Sequence, residues 1–295
     1  MDESTKRRPV NEPILCIEHV RFRYTGIAAS PGDVLDDVSF ELYENECVAI
    51  VGPSGSGKST LVQHFTGLLK PDHGRVLYRG KNIWGRSFDR VALRRRVGLV
   101  FQFPELQLFE ETVEKDVGFA PKNFGLMPNE VEQRVLEALS AMDLDAEQFR
   151  SRSPFQLSEG EKRRVAIAGV LAMQPEMTVF DEPTAGLDPE GVRGFIRLVK
   201  RLQNQGKTIV VITHNMDFVA ETADRVIVLF KGKILFDGTP RSLFVEQTIL
   251  QKADLELPSL RQVLAEFKNL PKEILDVLTM QELETKLALL SSHAA

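Results

Sequence analysis

The sequence predicts an α/β domain built on a mostly parallel core sheet, with an antiparallel β edge subdomain, a helical insert and a small helical C-terminal module. Up to about Gly238, short apolar runs alternate with amphipathic helix-like segments, the order expected of strands joined by crossover helices. Five of those runs are apolar at nearly every position, as strands covered on both faces must be. After Pro240 the strand signals vanish, which sets the C-terminal module apart.

In chain order, a polar segment, 1–12, precedes a domain spanning 13–240. Its first elements, Ile14 to Tyr24 and Val34 to Tyr43, alternate apolar and polar residues, as antiparallel strands with one wet face do. Cys47 to Val51 is the first fully apolar strand, and a Gly-rich turn leads from it into a helix-like Thr60 to Leu69. Val97 to Phe101 and Met177 to Phe180 are the next two strands, separated by a helical insert of about 103–173. Within it Val131, Val135, Leu136, Leu139 and Met142 recur at helical spacing, and Lys162 to Met173 reads as a further helix. Thr208 to Ile212 and Arg225 to Leu229 complete the sheet. In the module 241–295, Leu243 to Leu250, Ser259 to Phe267 and Met280 to Leu290 read as amphipathic helices.

The chain's 295 residues suffice for a large buried core, and 43% hydrophobic with 27% charged residues is a folded globular composition. A formal charge of -5 provides no basic field for nucleic acid, and no nucleic-acid partner is expected; the cluster Arg94, Arg95 and Arg96 reads as a solvated face. Cys16 and Cys47 sit in apolar stretches without metal-type spacing, as reduced buried thiols do, which favours the cytoplasm. Met1 to Val10 lacks the apolar core of a secretory signal. Apolar stretches such as Val165 to Met173 fall short of the roughly 20 residues that cross a bilayer, so a membrane role would come through partners.

The most specific motif follows the first apolar strand: Gly52, Pro53, Ser54, Gly55, Ser56, Gly57, Lys58 and Ser59, with Thr60 opening the helix. This is a P-loop in its proper context. Glycines let the backbone curl so that its N–H groups face phosphates, and the helix N-terminus adds a positive dipole. Lys58 is expected to reach the β and γ phosphates of ATP and Ser59 to bind Mg²⁺. A second element, Met177 to Glu182, is an apolar strand ending in two carboxylates. Asp181 suffices as the magnesium partner, which leaves Glu182 free to act as general base on an attacking water.

Three further residues join the set by position. His214 follows the strand Thr208 to Ile212, at an end where such sheets collect ligands, and is placed to sense a γ phosphate, although a lone histidine is more often structural. Gln102 ends another strand, and its amide can bind Mg²⁺ or water and link the nucleotide to a movable segment. Tyr24 is a candidate for stacking on the adenine, where its alternative is a core aromatic.

Leu157-Ser158-Glu159-Gly160-Glu161, ahead of the strand Met177 to Phe180 with its two carboxylates, chooses among P-loop families. With Gln102 before it, and Ala185-Gly-Leu-Asp188 and His214 after it, the order resembles the ATP-binding cassette family over residues 14 to 240. The resemblance implies two cassettes facing head to tail. Ser158, Glu159, Gly160 and Glu161 would then serve the partner's nucleotide, with Asp188 at the dimer seam. The family's signature usually reads Leu-Ser-Gly-Gly-Gln, so Glu159 and Glu161 are departures. A carboxylate aimed at a γ phosphate from 4 Å costs about 1 kcal/mol in water and about 4 at an intermediate dielectric, and would weaken the partner-side site; aimed outward it costs little.

A finer resemblance lies in Val100 to Val117, Ala120 to Gly125, Arg163 to Met173 and Ile249 to Leu260, which are similar to the ATP-binding subunits of energy-coupling factor transporters. It implies an ATPase that powers uptake of a vitamin or a transition-metal ion from the cytoplasmic face of the membrane. The implied partners are a second cassette, identical or not, an integral membrane coupling protein and a membrane-embedded substrate-binding subunit. It also implies that the tail dimerises, and that Phe103, Leu106, Leu108 and Phe109 border the groove that takes the coupling protein's helix. The alternative, a non-transport cassette ATPase acting on DNA or ribosomes, normally brings long coiled coils, tandem cassettes or basic arms, and the sequence displays none. A kinase or GTPase would not need the segment Leu157 to Glu161.

Overall fold

Valine- and isoleucine-rich runs become strands because the branched side chains pack on a pleated surface, and here they build the centre of the molecule. The computed structural model describes residues 12–25, 32–267 and 270–293. Met1 to Val10 of the polar N-terminal segment therefore lies outside the described residues. The strands are β1 (Leu15–Phe22), β2 (Leu35–Leu42), β3 (Cys47–Val51), β4 (His73–Tyr78), β5 (Lys81–Asn82), β6 (Val97–Val100), β7 (Met177–Asp181), β8 (Thr208–Ile212), β9 (Arg225–Phe230) and β10 (Lys233–Gly238).

They form two sheets. The larger has the order β10-β9-β3-β8-β7-β6, with β9, β3, β8, β7 and β6 parallel and β10 antiparallel at the edge. The smaller, β2-β1-β4-β5, is antiparallel throughout. Both faces of the larger sheet are covered. Val48, Ile50, Val210 and Ile212 point into a core shared with the antiparallel sheet and the P-loop helix. Ile209, Val211 and Phe180 point into a core shared with the helical insert. That two-sided burial is why these strands read as continuous apolar runs rather than alternating ones.

Several boundaries differ from the sequence reading, and three of the differences have a visible cause. The helix after the P-loop is Lys58–Phe65, earlier than Thr60 to Leu69, because it starts at Gly57 and ends before Gly67, both left-handed. The signature helix is Glu159–Leu171, beginning at Glu159 rather than Lys162, because Ser158 caps it. Leu243 to Leu250 is not one helix but Pro240–Leu243 and Gln247–Ala253, broken so that Leu243, Phe244, Leu250 and Ala253 all bury against Val51, Val226 and Val228. The first part of the tail thus covers the sheet, while Leu264, Ile274 and Val277 form a small core of their own. In the helix Pro128–Ala141, Val135 and Leu139 are buried as expected and Leu136 is exposed. No helix among the described residues is long and apolar enough to cross a membrane.

Candidate active site

The parallel register brings the candidate residues to one edge of the sheet. Ile50 of β3 and Asp181 of β7 both pair with Ile212 of β8, and Val100 of β6 pairs with Phe180. The segments that leave the C-terminal ends of these strands are therefore level with one another. They carry the P-loop, Glu182, His214 and Gln102.

The P-loop curls tightly because three of its glycines have positive φ: 141° at Gly52, 76° at Gly55 and 103° at Gly57. A Cβ at Gly52 would lie 2.0 Å from the Leu229 carbonyl oxygen and one at Gly57 would lie 2.7 Å from that of Val34, so both glycines are also required by space. Lys58 Nζ donates to the carbonyls of Gly52 at 2.7 Å and Pro53 at 3.0 Å, holding the ammonium at the loop. Burial lowers its pKa, and the charges of Glu182 and Asp181 work against that shift. The Ser56 hydroxyl is buried without a hydrogen-bond partner. The Tyr24 hydroxyl lies 3.2 Å from Thr60 Oγ1, and its half-exposed ring meets Phe22 edge-on beside the loop.

Asp181 closes β7 and is buried, with Oδ1 lacking any hydrogen-bond partner. Burial raises its pKa, the neighbouring Glu182 adds to that, and the Ser59 side chain and Lys58 pull it back. An orphaned carboxylate oxygen beside a serine hydroxyl is a hard oxygen donor set of the kind that suits Mg²⁺ with phosphate oxygens completing the shell. Glu182 adopts a left-handed backbone, φ 49°, with its N–H donating to the Ile212 carbonyl at 3.0 Å. Strain of that sort at the mouth of a sheet costs of order 1–3 kcal/mol and is typical of functional turns. His214 Nδ1 stands 2.9 Å from Glu182 Oε2, but the pair lacks the alignment of a hydrogen bond, so Oε2 has no formal partner. Gln102 is exposed where β6 ends, directly before the 3₁₀ turn Pro104–Gln107.

The signature segment lies at the start of its own helix. Ser158 is the N-cap, and Glu161 reaches back to accept from the Ser158 N–H at 2.8 Å and hydroxyl at 2.7 Å. This is a capping box, which either glutamate or glutamine can close, so the departure at Glu161 keeps the helix start intact. The Glu161 carboxyl is held below the usual range by those two donors. A depressed carboxylate stabilises the fold above its unfolded pKa and loses that contribution as pH falls through the folded value. Glu161→Ala is therefore expected to lower unfolding stability by about 1 kcal/mol at pH 7 in urea titrations. Glu161→Gln should lower it by less, and its deficit against the wild type should shrink in acid. Glu159 is 76% exposed and pairs with Lys162 at 2.7 Å, an outward orientation in which the lysine offsets its charge. Gly160 has no atom within 4 Å of the position a Cβ would take. Asp188 caps the helix Pro189–Asn204 by accepting from the Gly191 N–H at 2.8 Å.

Two features escaped the sequence. Of the apolar residues expected to border a groove, Phe103, Leu106 and Phe109 are exposed, Leu106 at 81%, but Leu108 is 8% exposed and belongs to the core with Val100 and Val113. In a 3₁₀ turn and the bend that follows, neighbouring apolar residues diverge, so a run of them cannot share one face. Arg163, one turn into the signature helix, grips Glu105 through Nε and Nη2, each at 3.2 Å, and donates Nη1 to the Ala185 carbonyl at 2.6 Å. Partners 58 and 22 positions away leave no sequence signal.

Comparison with known proteins identifies the family and the fold. The family model described as ABC transporter matches residues 35–185. The energy-coupling factor transporter ATP-binding protein EcfA2 of Clostridium tetani is 45% identical over 236 residues, 80% of this chain and 82% of that protein. The EcfA2 of Symbiobacterium thermophilum is 50% identical over 225 residues, 76% of this chain and 78% of that protein. Among solved structures, CbiO1 of Clostridium perfringens, part of the ABC transporter complex CbiONQ, superposes with a TM-score of 0.71 at 37% identity, covering 86% of this chain and all of that one. With the P-loop, paired carboxylates and signature helix in one cassette fold, and relatives of this similarity over most of its length, the chain belongs to the ABC transporter family, among the ATP-binding proteins of energy-coupling factor transporters.

Proposed function

We propose that the chain is the ATP-hydrolysing subunit of an energy-coupling factor transporter, working as one of a pair of cassettes. The observation that carries this is the convergence of Lys58, Asp181, Glu182, His214 and Gln102 at the level C-terminal ends of β3, β7, β8 and β6. The P-loop amides from Gly52 to Thr60 and Lys58 bind the phosphates, and Tyr24 stacks on the adenine. Ser59, Asp181 and Gln102 hold Mg²⁺, which when bound neutralises charge on the β and γ phosphates. Glu182 takes a proton from the attacking water, and His214, held against it, orients the carboxylate and contacts the γ phosphate. Ser158, Glu159, Gly160 and Glu161 face the partner's nucleotide and Asp188 lies at the seam, a reading supported by the dimeric ATP-binding cassette bound to ADP and phosphate, 30% identical with a TM-score of 0.67 over 77% of this chain and 98% of that one.

The chain works at the cytoplasmic face of the membrane, against an integral coupling protein and a membrane-embedded binder for a vitamin or metal ion. Phe103, Leu106 and Phe109 meet the coupling protein, as exposed apolar groups beside Gln102 are suited to do. The domain spans 13–240 and the module 241–295 contributes to dimerisation. Purification of the tagged chain from native membranes is expected to bring down a second cassette and a multi-span membrane protein. Recovery of soluble nucleic-acid or ribosomal partners alone would overturn the transporter assignment.

A further inference from the structure

Arg163 is almost fully committed inside the protein. Its side chain and that of Glu105 are each 10% exposed. Two of its donors meet the Glu105 carboxylate and a third meets the Ala185 carbonyl. Each of the three joined segments carries a residue for a different part of the reaction. Glu105 lies in the turn directly after Gln102, Ala185 lies in the loop between Glu182 and Asp188, and Arg163 lies one turn beyond Ser158. A second set of ties runs alongside: the Val113 and Glu114 N–H groups donate to the carbonyls of Arg152 at 3.0 Å and Arg150 at 2.9 Å, fastening the segment after Gln102 to the chain just before the signature.

Stability does not account for such a pair. Two buried charges cost about as much in desolvation as they return in attraction, and the helix that carries Arg163 already contributes Val165, Ile167 and Ala168 to the apolar core, so an apolar replacement is compatible with its packing. What the guanidinium supplies and an apolar side chain cannot is direction: a planar fork that fixes the angle between two segments while a third donor fixes the next. We infer that Arg163 is a positioning residue that sets this chain's own carboxylate loop and Gln102 segment against the signature helix it offers to its partner's ATP, so that the two nucleotide sites of the pair communicate through it. This rests on the proposed cassette pairing. It predicts a defect in turnover, not in nucleotide affinity.

The test is steady-state ATP hydrolysis by the full chain in its purified membrane complex, with thermal unfolding measured in parallel. Arg163→Met and Glu105→Gln should each lower kcat by about tenfold or more with KM for ATP within about twofold of the wild type, as a small misplacement of a catalytic group does. The double variant should be no worse than either single one, because both remove the same contact. Arg163→Lys, which keeps the charge and loses the fork, should resemble Arg163→Met. Unchanged kcat in a folded Arg163→Met or Glu105→Gln complex, full recovery in Arg163→Lys, or a double variant whose losses multiply would each overturn the inference. Glu182→Gln in the same assay separates the two ideas: if it leaves turnover intact the active-site reading fails, and if it abolishes turnover while the Arg163 series stays wild-type only the coupling role fails.

Discussion

Glu182→Gln is expected to lower ATP turnover by about 10²- to 10⁴-fold, the range a positioned general base contributes, while leaving nucleotide affinity close to that of the wild type. The amide is isosteric with the carboxylate, so the left-handed turn at Glu182, its N–H bond to Ile212 and the position of Asp181 should survive the change. What disappears is the proton acceptor. Removing the charge takes away one influence that raises the Asp181 carboxyl, which favours metal binding, and one that favours charged Lys58, which the lost repulsion between the Glu182 carboxylate and phosphate offsets, so metal and phosphate binding should hold. Single-turnover hydrolysis and equilibrium binding of a fluorescent ATP analogue measure the two quantities separately. A cassette pair that closes on ATP and reopens only after hydrolysis should also accumulate in the closed form. Turnover within a few fold of the wild type would move the base elsewhere, and His214, 2.9 Å from Glu182, would be the next residue to test.

Gly52→Ala should abolish ATP binding and destabilise the whole cassette. The added Cβ would sit 2.0 Å from the Leu229 carbonyl oxygen, at a φ of 141° that residues with a side chain rarely adopt. Leu229 belongs to β9, which pairs directly with β3, so relief of the clash must displace either the P-loop or the strand beside it. Overpacking and backbone strain together place the cost at about 3 kcal/mol or more, read as a fall in the urea midpoint at unchanged m-value. Gly55 is the internal control. Its φ is 76° but nothing lies within 4 Å of its Cβ position, so Gly55→Ala should cost only about 1–2 kcal/mol, the price of a left-handed backbone alone. Equal losses at the two glycines would mean that crowding by β9 is not what holds the loop.

Much of the site was legible because the chemistry is local. Phosphate binding needs glycines, a lysine and a helix start within a single turn, and Gly52 to Thr60 supplies them consecutively. The carboxylates proposed to hold the metal and to act as general base are adjacent, at Asp181 and Glu182. The capping box was harder to see. Ser158 and Glu161 stand at the right spacing, but reading them as part of a phosphate-facing signature hid that Glu161 is occupied with its own helix N-terminus. The strands β4 and β10 went unread because the first half of β4 is exposed and polar and β10 is an edge strand with no fully buried residue, so their partial burial leaves little trace in composition.

Taken alone, the amino-acid order determined the parallel α/β core, the P-loop, the paired carboxylates and the cassette family, since each depends on residues within a few positions or on apolar runs that burial on both faces demands. Only the tertiary structure decided that Leu108 belongs to the core while Leu106 is exposed, and that Arg163 ties Glu105 to Ala185. Those outcomes depend on where distant segments meet. Side-chain direction in a turn and the partner of a buried charge are set by packing across the fold, and sequence spacing carries no information about either.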